Sequence, residues 1–121
     1  MSAMGRFTVR QVNSGYKFDL VAGNGQVIAI SEVYETAAAC RKGIQSVRNC
    51  VSKAKTADLT ENGKLPANPK FEIFVDKAGD YRFRLRARNG QVVAVSENYS
   101  TKAACLGGIE SVKQNAPDGE V

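Results

Sequence analysis

The sequence contains no histidine and no tryptophan, and only three cysteines and three prolines, among its 121 residues. Without histidine, the Ser-His-Asp and Cys-His arrangements of nucleophilic catalysis and most zinc sites lack a required member. Three cysteines are an odd number without paired spacing, which is typical of reduced thiols in a cytosolic protein. We therefore predict a protein with no catalytic residues, no metal and no cofactor.

Long apolar segments are also missing. The longest apolar run extends only from Val27 to Ile30, far below the roughly 20 residues of a transmembrane helix. Residues 1–6 contain no apolar core of a signal peptide. Hydrophobic residues make up 43% and charged residues 24% of the chain, which is ordinary globular composition. We expect a soluble, cytoplasmic protein that does not associate with membranes.

What the sequence does contain is an internal repeat. Residues 16–51 align without gaps with residues 81–116, and roughly 20 of the 36 positions are identical, which chance does not supply. The chain is long enough for one hydrophobic core and too short for two ordinary domains. We predict a single domain over residues 1–121, divided into a first repeat (6–52), a linker (53–69) and a second repeat (70–116).

Three strands are predicted in each repeat, because apolar and polar residues alternate there. Between the second and third strands stands Asn24-Gly25, repeated as Asn89-Gly90, which predicts a type I′ hairpin turn with positive φ at both residues. In the first repeat, the sheet face expected to meet the core carries Phe7, Val9, Phe18, Leu20, Ala22, Val27 and Ala29.

A helix is predicted after each third strand. Apolar residues recur there at steps of four and three, as on one side of an amphipathic helix, and Thr36 and Thr101 are suited to be N-caps. The predicted fold is α+β: tandem β-β-β-α repeats that form one mainly antiparallel sheet, with both helices on the face that carries Phe18 and Phe83. Joining two units in one chain protects strand edges that a single unit would expose.

The second repeat also carries a family resemblance. Its segment NGQVVAVSENYSTKAACLGGIESV, the preceding Phe-x-Leu-x-Ala strand and the following Asn115-Ala116-Pro117-Asp118 resemble the YegP-like family of small bacterial proteins. The resemblance covers both repeats. It implies a β3-α unit that occurs singly as a dimer or in tandem, with the sheets merged and the helices exchanged between halves. It implies no established activity.

One cluster of charged residues stands out from this pattern. Four arginines alternate with apolar residues in the second strand of the second repeat, so they are expected to share one face of it: Arg82, Arg84, Arg86 and Arg88. A purely structural explanation is neutralisation across the hairpin. If residue 76 faces residue 82, then Asp76 lies opposite Arg82 and Glu72 opposite Arg86, in ion pairs that each contribute little.

A functional interpretation of the same surface remains open. Flanked by Phe74, Val93 and Val95, the four arginines would form a basic, partly apolar sheet face of the kind that binds single-stranded nucleic acid. A protein or a small anion could use the same groups. We therefore predict a non-enzymatic structural or interaction module, monomeric through internal pseudo-twofold pairing, with a nucleic-acid-binding accessory protein as the alternative.

The cysteines and two glutamates have simpler explanations. Cys40 and Cys105 occupy equivalent positions on the apolar sides of the helices, so we expect them to be buried and unreactive. Cys50 has no equivalent and is predicted to be more exposed. Glu32 and Glu97 are interpreted as cap or hinge residues before each helix.

Overall fold

Seven strands and two helices follow one another in the computed structural model, which describes residues 5–117, 119 and 121. The expectation that there is no signal-peptide core concerns residues 1–6, and residues 1–4 lie outside the described part of the chain. The elements are β1 (Arg6–Val12), β2 (Gly15–Val21), β3 (Val27–Ile30), α1 (Ala37–Val51), β4 (Lys55–Asp58), β5 (Lys70–Val75), β6 (Tyr81–Arg86), β7 (Val92–Val95) and α2 (Lys102–Asn115).

The strands form one continuous sheet in the order β1-β2-β3-β7-β6-β5-β4. All neighbouring strands are antiparallel except β4 and β5, which are parallel. The two repeats join where β3 meets β7, at the pair Ile30 and Val95. The predicted α+β fold with a single, mainly antiparallel sheet is therefore confirmed.

Strand β4 lies inside the segment that the sequence analysis treats as a linker. It runs parallel to β5, with Ala57 beside Glu72, and covers what would otherwise be an edge of the sheet. Ala57 is its one buried residue, so the four-residue strand has no alternation that a pattern search could detect. After β4, the chain is tied to the start of α2, because Lys102 forms ion pairs with Asp58 at 2.8 Å and Glu61 at 3.2 Å.

Both helices lie on the same face of the sheet, over paired aromatic rings. Phe7 and Phe18 meet edge to face with centroids 5.7 Å apart, and Phe71 and Phe83 repeat the arrangement at 5.9 Å. Helix α1 contacts β1 and β2 of its own repeat and β7 of the other, while α2 contacts β6 of its own repeat and β2 and β3 of the other. The helices are thus shared across the junction of the repeats, and neither is wholly exchanged.

A register shift in each repeat changes which residues reach the core. It falls after Leu20 in β2 and after Leu85 in β6. A bulge places an extra residue opposite one partner, and Ile28 is buried next to Ala29 while Val27 remains half-buried. The expectation that Val27 belongs to the core face is wrong for this reason.

The turn between β2 and β3 is not of type I′. Gly25 has a φ of 87° and Gly90 of 86°, but no other residue type has a positive φ in the part of the chain that the structure describes. The Gly25 N–H donates to the Ala22 carbonyl, and the Ala22 N–H donates to the Gln26 carbonyl. This is the three-residue hairpin loop that ends in a left-handed glycine.

The segment between each third strand and its helix is built the same way twice. Thr36 and Thr101 are the predicted N-caps, and their hydroxyls accept from the N–H groups of Ala39 and Ala104. The Tyr34 ring is stacked against Phe18 at 6.3 Å, as Tyr99 is against Phe83. The Ser31 and Ser96 hydroxyls are buried and accept from the backbone N–H groups of those same phenylalanines.

Candidate functional site

The face of the sheet opposite the helices is left uncovered by them, and we call it the open face. Its residues follow from the strand registers, since side chains that alternate with the core residues point away from the helices. Cations outnumber carboxylates there. The charged members on the paired strands β1, β2, β5 and β6 are Arg6, Arg10, Lys17, Lys70, Arg82, Arg84 and Arg86 against Asp19 and Glu72.

The β5–β6 register differs by two residues from the predicted one. Glu72 lies opposite Arg84, and Phe74 lies opposite Arg82. The cause is the hairpin loop, in which the Asp76 N–H donates to the Asp80 carbonyl and only residues 77–79 form the connection. The predicted pair of Asp76 with Arg82 is therefore wrong.

Glu72 nevertheless neutralises much of the arginine cluster. Its carboxylate accepts from Arg84 Nε at 2.7 Å and from Arg86 Nε at 2.5 Å, and Lys70 Nζ lies 3.6 Å away. Glu72 is only 5% exposed. Burial by itself would raise the pKa of this carboxyl, but the hydrogen bonds and charges of the two arginines outweigh burial and hold the pKa below its ordinary value.

The guanidinium groups of two of these arginines donate hydrogen bonds to backbone carbonyls. Arg82 donates to the Ser96 carbonyl through Nε at 3.2 Å and Nη2 at 2.9 Å, and Arg86 Nη1 donates to the Gly90 carbonyl at 2.8 Å. The Arg84 guanidinium lies over the Phe74 ring, 4.6 Å from its centroid. The structure thus brings Arg82, Arg84 and Arg86 together with Phe74.

Arg88 does not belong to this group. Strand β6 ends at Arg86, and the chain then turns through residues 87–91. Arg88 lines a cleft together with residues of α1, on the side of the sheet that carries the helices. The alternation that put all four arginines on one face holds only while the chain remains a strand.

A groove crosses the open face where the two repeats meet. It has a volume of about 280 Å³ and is lined by Lys17, Ile30, Ser31, Glu32, Val33, Arg82, Val95 and Ser96. Of these residues, Arg82 and Val95 belong to the basic face predicted from the sequence, whereas Val93, also predicted there, is buried in the core. The matched positions of Ile30 and Val95 at the ends of equivalent strands are the signal that could have pointed to the others.

Two of the three thiols are held in their protonated, unreactive form. Burial raises the pKa of Cys40, and it raises that of Cys105 to about 11, so both are protonated at neutral pH. Cys50 is 8% exposed and Cys40 and Cys105 are at 0%, so Cys50 is the most exposed of the three, as predicted, although it is buried as well. Burial likewise raises the pKa of Tyr34 and Tyr99.

Residues 5–117, 119 and 121 contain no group of three or more His, Cys, Asp or Glu side chains that could hold a metal ion. Within the same part of the chain, neither helix has the length and apolar character needed to cross a membrane.

The fold and the repeats define a class: a tandem β3-α protein with a merged sheet. Residues 12–58 and 76–121 each match the model of a domain family described as a domain of unknown function, DUF1508. The chain belongs to this family, with two copies of the domain. The resemblance to YegP-like proteins noted from the sequence is thereby confirmed.

Known relatives occur with two repeats and with the length of one. A UPF0339 protein of Photorhabdus laumondii is 39% identical over 110 residues, covering 90% of this chain and 84% of its own. A UPF0339 protein of Methanosarcina acetivorans is 56% identical over 52 residues, which is 43% of this chain but 90% of that protein. The solution structure of YegP from E. coli, itself described as of unknown function, superposes with a TM-score of 0.81 at 29% identity and covers 100% of this chain and 93% of its own.

Proposed function

We propose that this protein is a non-enzymatic interaction module whose open face binds an acidic segment of a partner protein. The observation that carries the proposal is the one-sided placement of the helices, which leaves a cationic sheet face uncovered. Clefts and faces of one sign attract partners of the opposite sign and fix their orientation.

The groove at the junction of the repeats is the centre of the proposed surface. Ile30 and Val95 form its apolar base, and Val33 beside them is 46% exposed. Lys17 and Arg82 provide two cations in the same groove against one carboxylate, that of Glu32. Apolar anchors within a polar rim are the usual anatomy of a protein interface, so a segment that mixes acidic and aliphatic residues suits the groove.

Single-stranded nucleic acid is the second candidate, because Arg84 over Phe74 is a stacking surface of the kind that receives a base. Two features weigh against it. The Nε atoms of Arg84 and Arg86 already bind Glu72, and the Glu72 carboxylate would repel a phosphate placed between them. We therefore favour the acidic protein segment.

Fluorescence anisotropy separates the two candidates. The probes are a labelled peptide of alternating glutamate and leucine and a labelled 12-nucleotide single strand. We expect the peptide to bind, and Lys17→Ala and Arg82→Ala each to weaken its binding roughly tenfold, which corresponds to one charge-assisted contact. Lys77→Ala, in the exposed β5–β6 loop, removes the same charge elsewhere and is the matched control.

Other outcomes decide against the peptide. If the single strand binds more tightly and Arg84→Ala lowers the slope of log affinity against log salt by about one, nucleic acid is the ligand class. Equal effects of Lys17→Ala and Lys77→Ala would show only the attraction of any cationic protein for an anion, and the interaction module would be abandoned.

We also infer that the chain acts as a cytoplasmic monomer. The second repeat (70–116) supplies the first (6–52) with the sheet neighbour that a single unit lacks, through β3 and β7. The three cysteines are free thiols, as expected in a reducing compartment. Light scattering that gives a mass well above the 13.0 kDa of one chain would contradict the monomer.

A further inference from the structure

The two helices end at equivalent places that the two repeats build differently. Near the end of α1, Cys50 lines a cleft together with Arg88, in the β6–β7 turn of the other repeat. At the end of α2, Asn115 meets Gly23, in the β2–β3 turn. These are matching positions of the repeat, so the two places correspond to each other.

The place at the end of α2 is closed. The Asn115 side-chain oxygen accepts from the Gly23 N–H at 3.3 Å, and its amide nitrogen donates to the Ser111 carbonyl at 2.7 Å. The backbone at Gly5 approaches so closely that a Cβ there would lie 2.5 Å from the Asn115 Cβ. No comparable contact ties Cys50 to the β6–β7 turn among the side-chain hydrogen bonds of the described residues.

The place at the end of α1 is an open cleft of about 530 Å³. A second cleft of similar volume adjoins it and shares Asn49, Cys50 and Arg88. Among the described residues that line the two clefts, none is a carboxylate. The cations that line them are Lys42, Arg48, Lys53 and Arg88.

The location of the cleft at the C-terminus of α1 does not explain why four cations line it. Cations near a helix C-terminus complement its dipole, but the effect is confined to the last turn. Lys42 lies well before the end of α1, and Arg88 belongs to the other repeat. The matching positions in the closed place are Gly107 and Gly23, so the fold forms without either cation.

We propose that this cleft is a binding site for a small molecule that carries a phosphate monoester. Arginine offers a paired donor that fits phosphate oxygens, and lysine adds a point charge. Gln45, Asn49 and Asn89 line the remainder with uncharged polar groups. The volume lies within the range of small-molecule pockets. Because the cleft lies on the helix side of the sheet, it is separate from the open face.

The test is a titration of the 15N-labelled protein followed by two-dimensional NMR, with adenosine 5′-monophosphate, inorganic phosphate and adenosine as probes in a buffer without phosphate. We expect saturable shifts with the two phosphate probes and not with adenosine. The shifting amides should lie in residues 45–52 and 88–91, and those of residues 111–116 and 23–26 at the closed place should stay unchanged.

Variants assign the binding to the cations of the cleft. Arg88→Gly introduces the residue that the first repeat has at that position, so the turn should tolerate it. We expect this variant, and Lys42→Ala, each to weaken binding of the nucleotide roughly tenfold, as the loss of one charge-assisted hydrogen bond does. Lys77→Ala is again the matched control, and its dissociation constant should change less than twofold.

Three outcomes would overturn the site. They are the absence of saturable shifts at millimolar nucleotide, equal shifts at the open and closed places, and equal weakening by Arg88→Gly and Lys77→Ala. The NMR spectrum of each variant shows directly whether it is folded, so a loss of binding cannot be confused with a loss of structure.

Discussion

The two repeats share a framework and differ in charge. In both, a tyrosine is stacked on a phenylalanine beneath a helical glycine, with Tyr34 near Gly43 and Tyr99 near Gly108. On the open face, in contrast, the first repeat has one exposed pair, Arg10 with Asp19 at 3.0 Å, where the second has a carboxylate surrounded by three cations. The stacked aromatic framework is common to both repeats, whereas the cluster of cations around a buried carboxylate occurs in the second repeat.

The largest change in stability is expected from a substitution in the tyrosine–phenylalanine framework that both repeats share. A Cβ at Gly108 would lie 2.3 Å from the Tyr99 hydroxyl and 2.9 Å from the Phe83 ring. Gly108→Ala should therefore destabilise the protein by about 2 kcal/mol, since overpacking outweighs the better helix propensity of alanine. Gly43→Ala should cost the same, because its surroundings are equivalent. Urea unfolding followed by circular dichroism measures both.

The neighbouring glycine is the matched control. Nothing lies within 4 Å of a Cβ built at Gly107, so Gly107→Ala should stabilise α2 by about 1 kcal/mol through helix propensity alone. The change from glycine to alanine is thus expected to raise the free energy of unfolding at position 107 and to lower it at position 108. If Gly43→Ala proves harmless while Gly108→Ala is costly, the two repeats do not share the framework described above.

The second prediction sharpens the difference in charge. Glu72→Gln removes the carboxylate that holds Arg84 and Arg86, which are partly exposed, and should cost about 1 kcal/mol at pH 7. Asp19→Asn removes the exposed pair of the first repeat and should cost about 0.3 kcal/mol. Equal costs would mean that the buried carboxylate has no special weight in the second repeat.

The pH dependence gives an independent measure of the same carboxylate. Because the pKa of Glu72 is lowered in the folded state, its contribution is complete above the unfolded carboxyl pKa of about 4.3. It is lost as the pH falls through the lower folded pKa. The wild-type protein should therefore lose more stability between pH 6 and pH 3 than Glu72→Gln does. Parallel curves would contradict the lowered pKa.

The framework could be predicted from the sequence because its signals are local and occur twice. The caps at Thr36 and Thr101 and the change from strand to helix period are of this kind. Two of the predictions that failed, the β5–β6 register and the core position of Val27, depend on the number of residues that a loop or a bulge contains. The loop at residues 77–79 set the β5–β6 register, and the bulge brought Ile28 to the core.

The candidate site was predictable only in part, for a related reason. Arg82, Arg84 and Arg86 alternate within one strand, and alternation places them on one face. Arg88 continues the alternation in sequence but lies beyond the strand, where the turn takes it to the side of α1. Strand β4 arises from a pairing between distant segments, which one sequence does not reveal, and the only sequence signal for the groove is the equivalent position of Ile30 and Val95 in the two repeats.

Labelling of the thiols is expected to affect the fold least. It compares Cys40 and Cys105, which are equivalent positions of the two repeats, with Cys50, whose equivalent in the second repeat is Asn115. Cys40 and Cys105 are fully buried at equivalent positions, and their raised pKa values leave almost no thiolate at pH 8. Cys50 is 8% exposed and lines the open cleft. With iodoacetamide and mass spectrometry of the native protein, Cys50 should be modified first, at least tenfold faster than either of the pair, because it borders a cleft whereas burial shields the other two and raises their pKa values. Cys50→Ser should leave the native protein almost unlabelled, and 6 M urea should expose Cys40 and Cys105 together.

Rapid labelling of Cys105 in the native state would show that α2 does not cover the sheet as α1 does, and the equivalence of the two repeats would fail at its core.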